Sequence, residues 1–289
     1  MEKKSRMKHH IDSYKIGIWE EYNFRFLLAD CTKTIQEVIK RQNLKNSSSK
    51  LVAKVMMGAF FLAGMVKEET TVSIQLEGDG AVERVMGYSD RIGRMRGLAR
   101  YNDISSGSDP TLGIGKGVFR VTRWGGVRKL HQSITKLDHV TFESNLLHHI
   151  TESDQLVSFL SIFLNSEDIC KGIIFQALPF TEQSKIDELM DRMGEFSYTT
   201  EELFHGNLDV ILDKLEQNFK SKAIILDSGI PEFYCGCSIE KIKNVILSMG
   251  KSEAYSILEE QGKIEIVCEF CNEKYELDSE DVHLLFINS

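Results

Sequence analysis

Alternation of apolar and polar positions is clearest at TVSIQL, where Val72, Ile74 and Leu76 alternate with Ser73 and Gln75. A period of two predicts a strand with one buried face. Gly78-Asp79-Gly80 then supplies a turn, and AVERVM reads as the returning strand. Further strands are predicted over 94–101, 117–123, 129–134, 157–164 and 169–178. Helical spacing is carried by Ile35, Val38 and Ile39, which predicts a helix over 32–43. Residues 47–67 are apolar on nearly every side and predict a buried helix. A third helix is predicted over 141–150. Helices grouped among strands joined by short turns imply an α+β fold, a core domain with an antiparallel sheet and packed helices.

The pattern changes after residue 180. Thr199 and Glu202 have capping-box spacing and predict a helix start. Leu208, Ile211, Leu212 and Leu215 then form a narrow apolar stripe on an acidic segment, and such a helix needs a surface to lie on. Pro231 closes the stretch. In the remainder, Ser238 and Ser252 are expected N-caps of two short helices. KIEIV and KYEL predict two strands around a tight turn, and Ser279 is expected to start a last helix carrying Val282, Leu285 and Phe286. The expected organisation is a core domain over 1–180, a helical linker over 181–230 and a small domain over 231–289. A domain that short buries a modest core and often depends on a metal or disulfides.

Composition narrows the function classes. The chain has 289 residues, 42% hydrophobic and 27% charged, with three prolines, as expected of a soluble globular protein. The most apolar run, Val55 to Val66, is shorter than the roughly 20 residues a spanning helix needs. The basic N-terminus is not followed by an unbroken apolar stretch, so no signal peptide is expected and the predicted location is the cytoplasm. Disulfides in that compartment are normally catalytic, sensing or transient. The net charge of −8 argues against nucleic acid or an anionic membrane as partner. Charge is uneven: residues 1–180 carry 25 Lys and Arg against 20 Asp and Glu, whereas 181–289 carry 10 against 23. Docking of the acidic third on the body and simple solubility both account for this.

The cysteines carry the chemistry. Cys235, Cys237, Cys268 and Cys271 lie in the small domain as Cys-Gly-Cys, thirty intervening residues, then Cys-Glu-Phe-Cys. Two close pairs separated by a helical spacer are the sequence form of a tetrahedral four-cysteine zinc site, with one zinc per reduced chain. Four buried free thiols, or a thioredoxin-like Cys-x-x-C oxidoreductase, are the alternatives; the latter needs its motif at a helix N-terminus inside a βαβ unit. Cys31 and Cys170 sit among apolar residues as expected core thiols. Residues 231–289 carry 5 Lys against 12 Asp and Glu, the wrong footprint for a nucleic-acid-binding zinc module. A constitutive zinc-stabilised protein-interaction adaptor remains open.

Other candidates are weaker. Gly113, Gly115 and Gly117 lack dinucleotide-loop spacing and read as a turn. His148-His149 has no partner cluster in the sequence and is expected to be a helix-surface pair. No nucleophile elbow or paired-carboxylate signature occurs, so no enzymatic activity is expected.

The segment FYCGCSIEKIKNVILSMGKSEAYSILEEQGKIEIVCEFCNEKYEL resembles the redox switch domain of the 33 kDa chaperonin family of heat-shock chaperones. VSIQLEGDGAVERVMGYSDRIGRMRGLAR looks like that family's first sheet strands, IIFQALP like the last strand of its core, and TTEELF like the start of its linker. The resemblance covers nearly the whole chain; a departure at Ile239, where family members often carry a basic residue, does not touch a ligand position. It implies a cytosolic, ATP-independent holdase for unfolding client proteins, active under oxidative stress. In the reduced form Cys235, Cys237, Cys268 and Cys271 would bind zinc. Oxidation would form redox-active disulfides Cys235–Cys237 and Cys268–Cys271, release the metal, unfold the linker and yield an active homodimer.

Overall fold

The computed structural model describes residues 11–66, 68–80, 82–101, 114–125, 130–165, 169–197 and 204–287. The expected cap at Thr199 and Glu202, the basic N-terminal tail and Gly113 lie outside the described residues. Two compact units are present, Met1–Phe233 and Tyr234–Ser289.

The first unit is built from two sheets and a central helix. β1 (Ser13–Trp19), β2 (Phe24–Asp30), β8 (Ser158–Leu164), β9 (Cys170–Ala177) and β10 (Ile224–Gly229) form one sheet in the order β10-β1-β2-β9-β8. The other has the order β11-β5-β4-β3-β6-β7, from β3 (Thr70–Gly78), β4 (Val82–Asp90), β5 (Arg94–Tyr101), β6 (Gly117–Gly125), β7 (Leu130–Leu137) and β11 (Glu232–Phe233). Pairing is antiparallel except for the two-residue β11, which runs parallel to β5. The α+β class with antiparallel sheets is what the hydrophobic pattern indicates.

Helix α1 (Thr32–Arg41) leads into α2 (Asn46–Gly64), which supplies the core between the sheets. Its Val55, Met56, Ala59 and Phe60 are fully buried, as the apolar run predicts. The approach to β4 is close: a Cβ on Gly87 would lie 2.8 Å from backbone atoms of Val55 and Met56, so only glycine fits. The paired Gly97 on β5 faces the Met56 side chain in the same way.

Strand alternation divides the first sheet between two cores. Leu27 and Ala29 of β2 face the α2 core, whereas Phe24, Phe26 and Leu28 face a second core. On β9, Cys170 and Ile174 face α2, and Ile173, Phe175 and Ala177 face the other way. Every residue of β9 is therefore buried. The second core is closed by α4 (Gln183–Ser197) and α5 (Leu208–Phe219).

The loop after β7 leads to α3 (Phe142–His149), capped by Thr141, whose hydroxyl accepts the Ser144 N–H at 3.1 Å. A π-helical turn, Ile150–Asp154, follows. His149 is not on the helix surface as expected from the sequence. It is fully buried beside Phe119, with ring nitrogens 2.9 Å from Ser133 Oγ and 3.2 Å from Thr135 Oγ1. An apolar face at the helix end claims the residue, because its two hydroxyl partners on β7 satisfy a neutral imidazole. Burial, and then the nearby Arg123 guanidinium, lower its pKa to about 4.

That depression couples stability to pH. An unfolded histidine takes up a proton near pH 6.5, whereas the folded one resists it down to about 4. Stability of the first unit should be full above pH 6.5 and fall by about 3 kcal/mol as the pH drops through that window. Urea midpoints between pH 4 and 8 measure this. An equal slope in a His149→Gln variant would contradict the assignment.

Candidate metal centre

Among its described residues the second unit has three helices and a hairpin: α6 (Ile239–Met249), α7 (Lys251–Gln261), β12 (Ile264–Val267), β13 (Lys274–Leu277) and α8 (Ser279–Ile287). Its core is small, consisting of Ile242, Ile246, Ala254, Leu258, Ile264, Leu277 and Val282. Ser238 caps α6 by accepting the Lys241 N–H at 3.4 Å. Ser252 is not a cap: Gly250, at φ +97°, turns the chain first, and α7 begins at Lys251.

The two cysteine pairs sit in different local settings. Cys235 and Cys237 lie in the loop immediately before the α6 cap. Cys268 and Cys271 lie between β12 and β13, where the Cys268 N–H bonds the Glu273 carbonyl and the Asn272 N–H bonds the Cys268 carbonyl, both at 2.9 Å. Asn272 takes the left-handed conformation, φ +56°, that closes this knuckle, and asparagine tolerates it better than most residues.

The four sulfurs all lie within 4.8 Å of one another. Contacts of 3.6 Å between Cys235 and Cys268, and 3.3 Å between Cys237 and Cys271, run across the two motifs. A tetrahedron of sulfurs about 2.3 Å from a central ion has edges of about 3.8 Å, so this arrangement fits a four-thiolate metal site with little adjustment. The cluster can hold a metal ion.

The surroundings treat the four thiols differently. Burial opposes ionisation of Cys268, but hydrogen bonds from the backbone N–H groups of Cys271 and Phe270, together with those from the Cys271 and Cys235 thiols, outweigh it and bring the thiol down to about 7. Burial pushes Cys235 and Cys271 up. The Tyr275 hydroxyl donates to Cys237 Sγ at 3.1 Å. Tyr275 stands out in the sequence only as a neighbour of the motif; its pairing opposite Ile266 across the hairpin gives it this role.

Cys31 and Cys170 are in a different setting. Both are fully buried, and burial, then their mutual proximity in the case of Cys31, pushes their thiols well above the usual range. Native protein stripped of metal should take up four alkyl groups per chain from iodoacetamide, with these two unmodified. Intact mass spectrometry reading six adducts before unfolding would contradict their placement.

The family model described as Hsp33 protein matches residues 12–278. The chain belongs to the Hsp33 family. A 33 kDa chaperonin of Aeromonas salmonicida is 29% identical over 275 residues, covering 93% of this chain and 92% of that protein. One from Shewanella sediminis is 27% identical over 275 residues, covering 94% of each. A crystal structure of the 33 kDa chaperonin of Thermotoga maritima superposes with a TM-score of 0.83 over 97% of this chain and 99% of that one, at 24% identity, and shares the fold. Among the described residues, no helix is long and apolar enough to cross a membrane.

Proposed function

We propose that this Hsp33-family chain is a redox-regulated, ATP-independent holdase of the cytoplasm, held silent in the reduced form by zinc on Cys235, Cys237, Cys268 and Cys271. The observation that carries the reading is the gathering of four thiols on a unit with only seven buried apolar side chains in its core. In this reading 1–180 is the client-binding body, 181–230 the linker and 231–289 the switch. Zinc, when bound, supplies a cross-link that keeps the four sulfurs as thiolates and ties the knuckle to the segment before α6.

Peroxide is the oxidant, and the chain's own thiolates reduce it. Cys268 thiolate attacks a peroxide oxygen, giving a sulfenic acid and hydroxide. Cys271 thiolate then attacks the Cys268 sulfur, forming the S–S bond and releasing a second hydroxide. Cys235 and Cys237 react likewise, so two peroxides are reduced for two disulfides formed. One- and two-residue gaps keep the sulfurs of each motif together once the cluster opens. Disulfide sulfurs are poor cation donors, and rings this small restrain the unfolded chain little. The small unit then unfolds, the linker loses its support, and the freed apolar surface binds unfolding clients, with the oxidised chain dimerising as the family resemblance implies.

Oxidation with hydrogen peroxide followed by peptide mapping and metal analysis tests the chemistry. One zinc should leave per chain as Cys235–Cys237 and Cys268–Cys271 form. Mainly Cys237 joined to Cys268, or no zinc in the reduced protein, would overturn the reading.

A further inference from the structure

The turn between β7 and α3 brings together three groups that the redox reading does not use. Asp138 and His139 lie in this turn, and His148 lies one residue before the end of α3. Their donor atoms all lie within 4.8 Å of one another. The two imidazoles are tilted at 57° with centroids 4.7 Å apart, and His139 Nε2 is 3.6 Å from Asp138 Oδ1.

The turn is held in place from beneath. Asn145, 1% exposed, accepts the His139 N–H at 3.2 Å and donates to the carbonyls of His139 at 2.9 Å and Thr141 at 2.7 Å. This bracket fixes the backbone that carries His139 relative to the helix that carries His148. The donors therefore share one corner without the chain having to order itself around an ion.

We propose that Asp138, His139 and His148 form a second metal site, on the first unit, for a divalent transition ion of the zinc, copper and nickel class. Two imidazoles and one carboxylate suit such ions, whereas calcium and magnesium need mostly oxygen donors. A cavity of about 480 Å³ beside Asp138 and His139 is also lined by Lys116 and Lys136. Positive charge there disfavours cations held by field alone, so directional bonds to nitrogen select the ion. Three protein donors leave at least one coordination position open toward solvent.

Equilibrium dialysis of the reduced, zinc-loaded full chain against micromolar Zn²⁺ tests the proposal. The expected result is a second zinc per chain, weakened at least tenfold by His139→Ala or His148→Ala, with millimolar Mg²⁺ or Ca²⁺ failing to compete. Both side chains are at least partly exposed, so circular dichroism should show either variant folded. A Cys268→Ser Cys271→Ser variant should keep this second ion, which separates the site from the cysteine centre. Absence of a second equivalent, or its persistence at full affinity in the His139→Ala His148→Ala double variant, would overturn the assignment.

Discussion

Replacing Leu208 and Leu215 with Asp together should give a chain that suppresses client aggregation without any oxidant. Both residues belong to the stripe that α5 presents to the outer face of the first sheet. Leu208, Ile211, Leu215 and Phe219 of the helix, with Phe204 just before it, are each no more than 2% exposed, against Trp19, Phe24, Phe26 and Phe175. At about 1.5–3 kcal/mol per buried side chain, the five contribute on the order of 10 kcal/mol before the cost of ordering the helix. Truncating a buried Leu costs about 2–5 kcal/mol, and a carboxylate left in an apolar seat adds to that. Two such lesions are comparable to the whole latch.

The approach to α5 is tethered separately. Lys171 Nζ donates to the carbonyls of Phe204 and Gly206 and lies 3.4 Å from Asp30 in a buried pair. Surface charge matters less. Lys15–Asp209 at 3.0 Å and Arg91–Asp227 at 3.1 Å join the acidic stretch to the body, but pairs of this exposure contribute about 0–1 kcal/mol each. Half-molar salt should therefore leave the reduced protein silent. So should Val210→Asp, on the outer face of the same helix, where the side chain is already exposed. The readout is light scattering of an unfolding client with reduced, zinc-loaded protein. A double variant as silent as the parent would show that the stripe is not the latch.

Removing the metal from reduced protein should unfold the second unit and leave the 1–180 body folded. A structural zinc site supplies about 10–16 kcal/mol of apparent folding free energy, whereas whole domains are stable by only about 5–15 kcal/mol. Seven buried side chains, one of them Ala254, do not replace that contribution. The ion pairs Lys263–Glu276 and Lys274–Glu265 across the hairpin, both at 2.7 Å, are too exposed to do so. Hydrogen exchange after chelation should show protection lost through α6, α7 and α8 and kept in β2, β3 and β9. Surviving protection at Ile242–Ile246 and Ala254–Leu258 would mean that the apolar core suffices alone.

Much of this architecture is legible in the sequence, for identifiable reasons. TVSIQL alternates because β3 has one face on α2, and the 55–66 run is continuous because α2 is buried all round. The four cysteines stand out because metal coordination demands thiols at short spacing whatever the surrounding fold. Strands β1 and β2 escape such reading. FRFLLAD is apolar on both faces, since one serves α2 and the other α5, so the period of two is erased. Helix α4 and strand β10 are hidden because their partners lie far away in sequence: Ile224 pairs with Ile18. The two-residue β11 has no pattern to read. His148 and His149 look alike in sequence but part company in space, because the helix period sends one toward His139 and the other beneath the sheet.

The most direct test of the switch is client aggregation measured alongside zinc release in one sample. A thermally unfolding client should aggregate freely in the presence of the reduced chain. Peroxide should bring suppression in proportion to zinc released, and a thiol reductant with added zinc should return the chain to silence. Equal suppression by reduced and oxidised protein, or zinc release without any gain in suppression, would contradict the account.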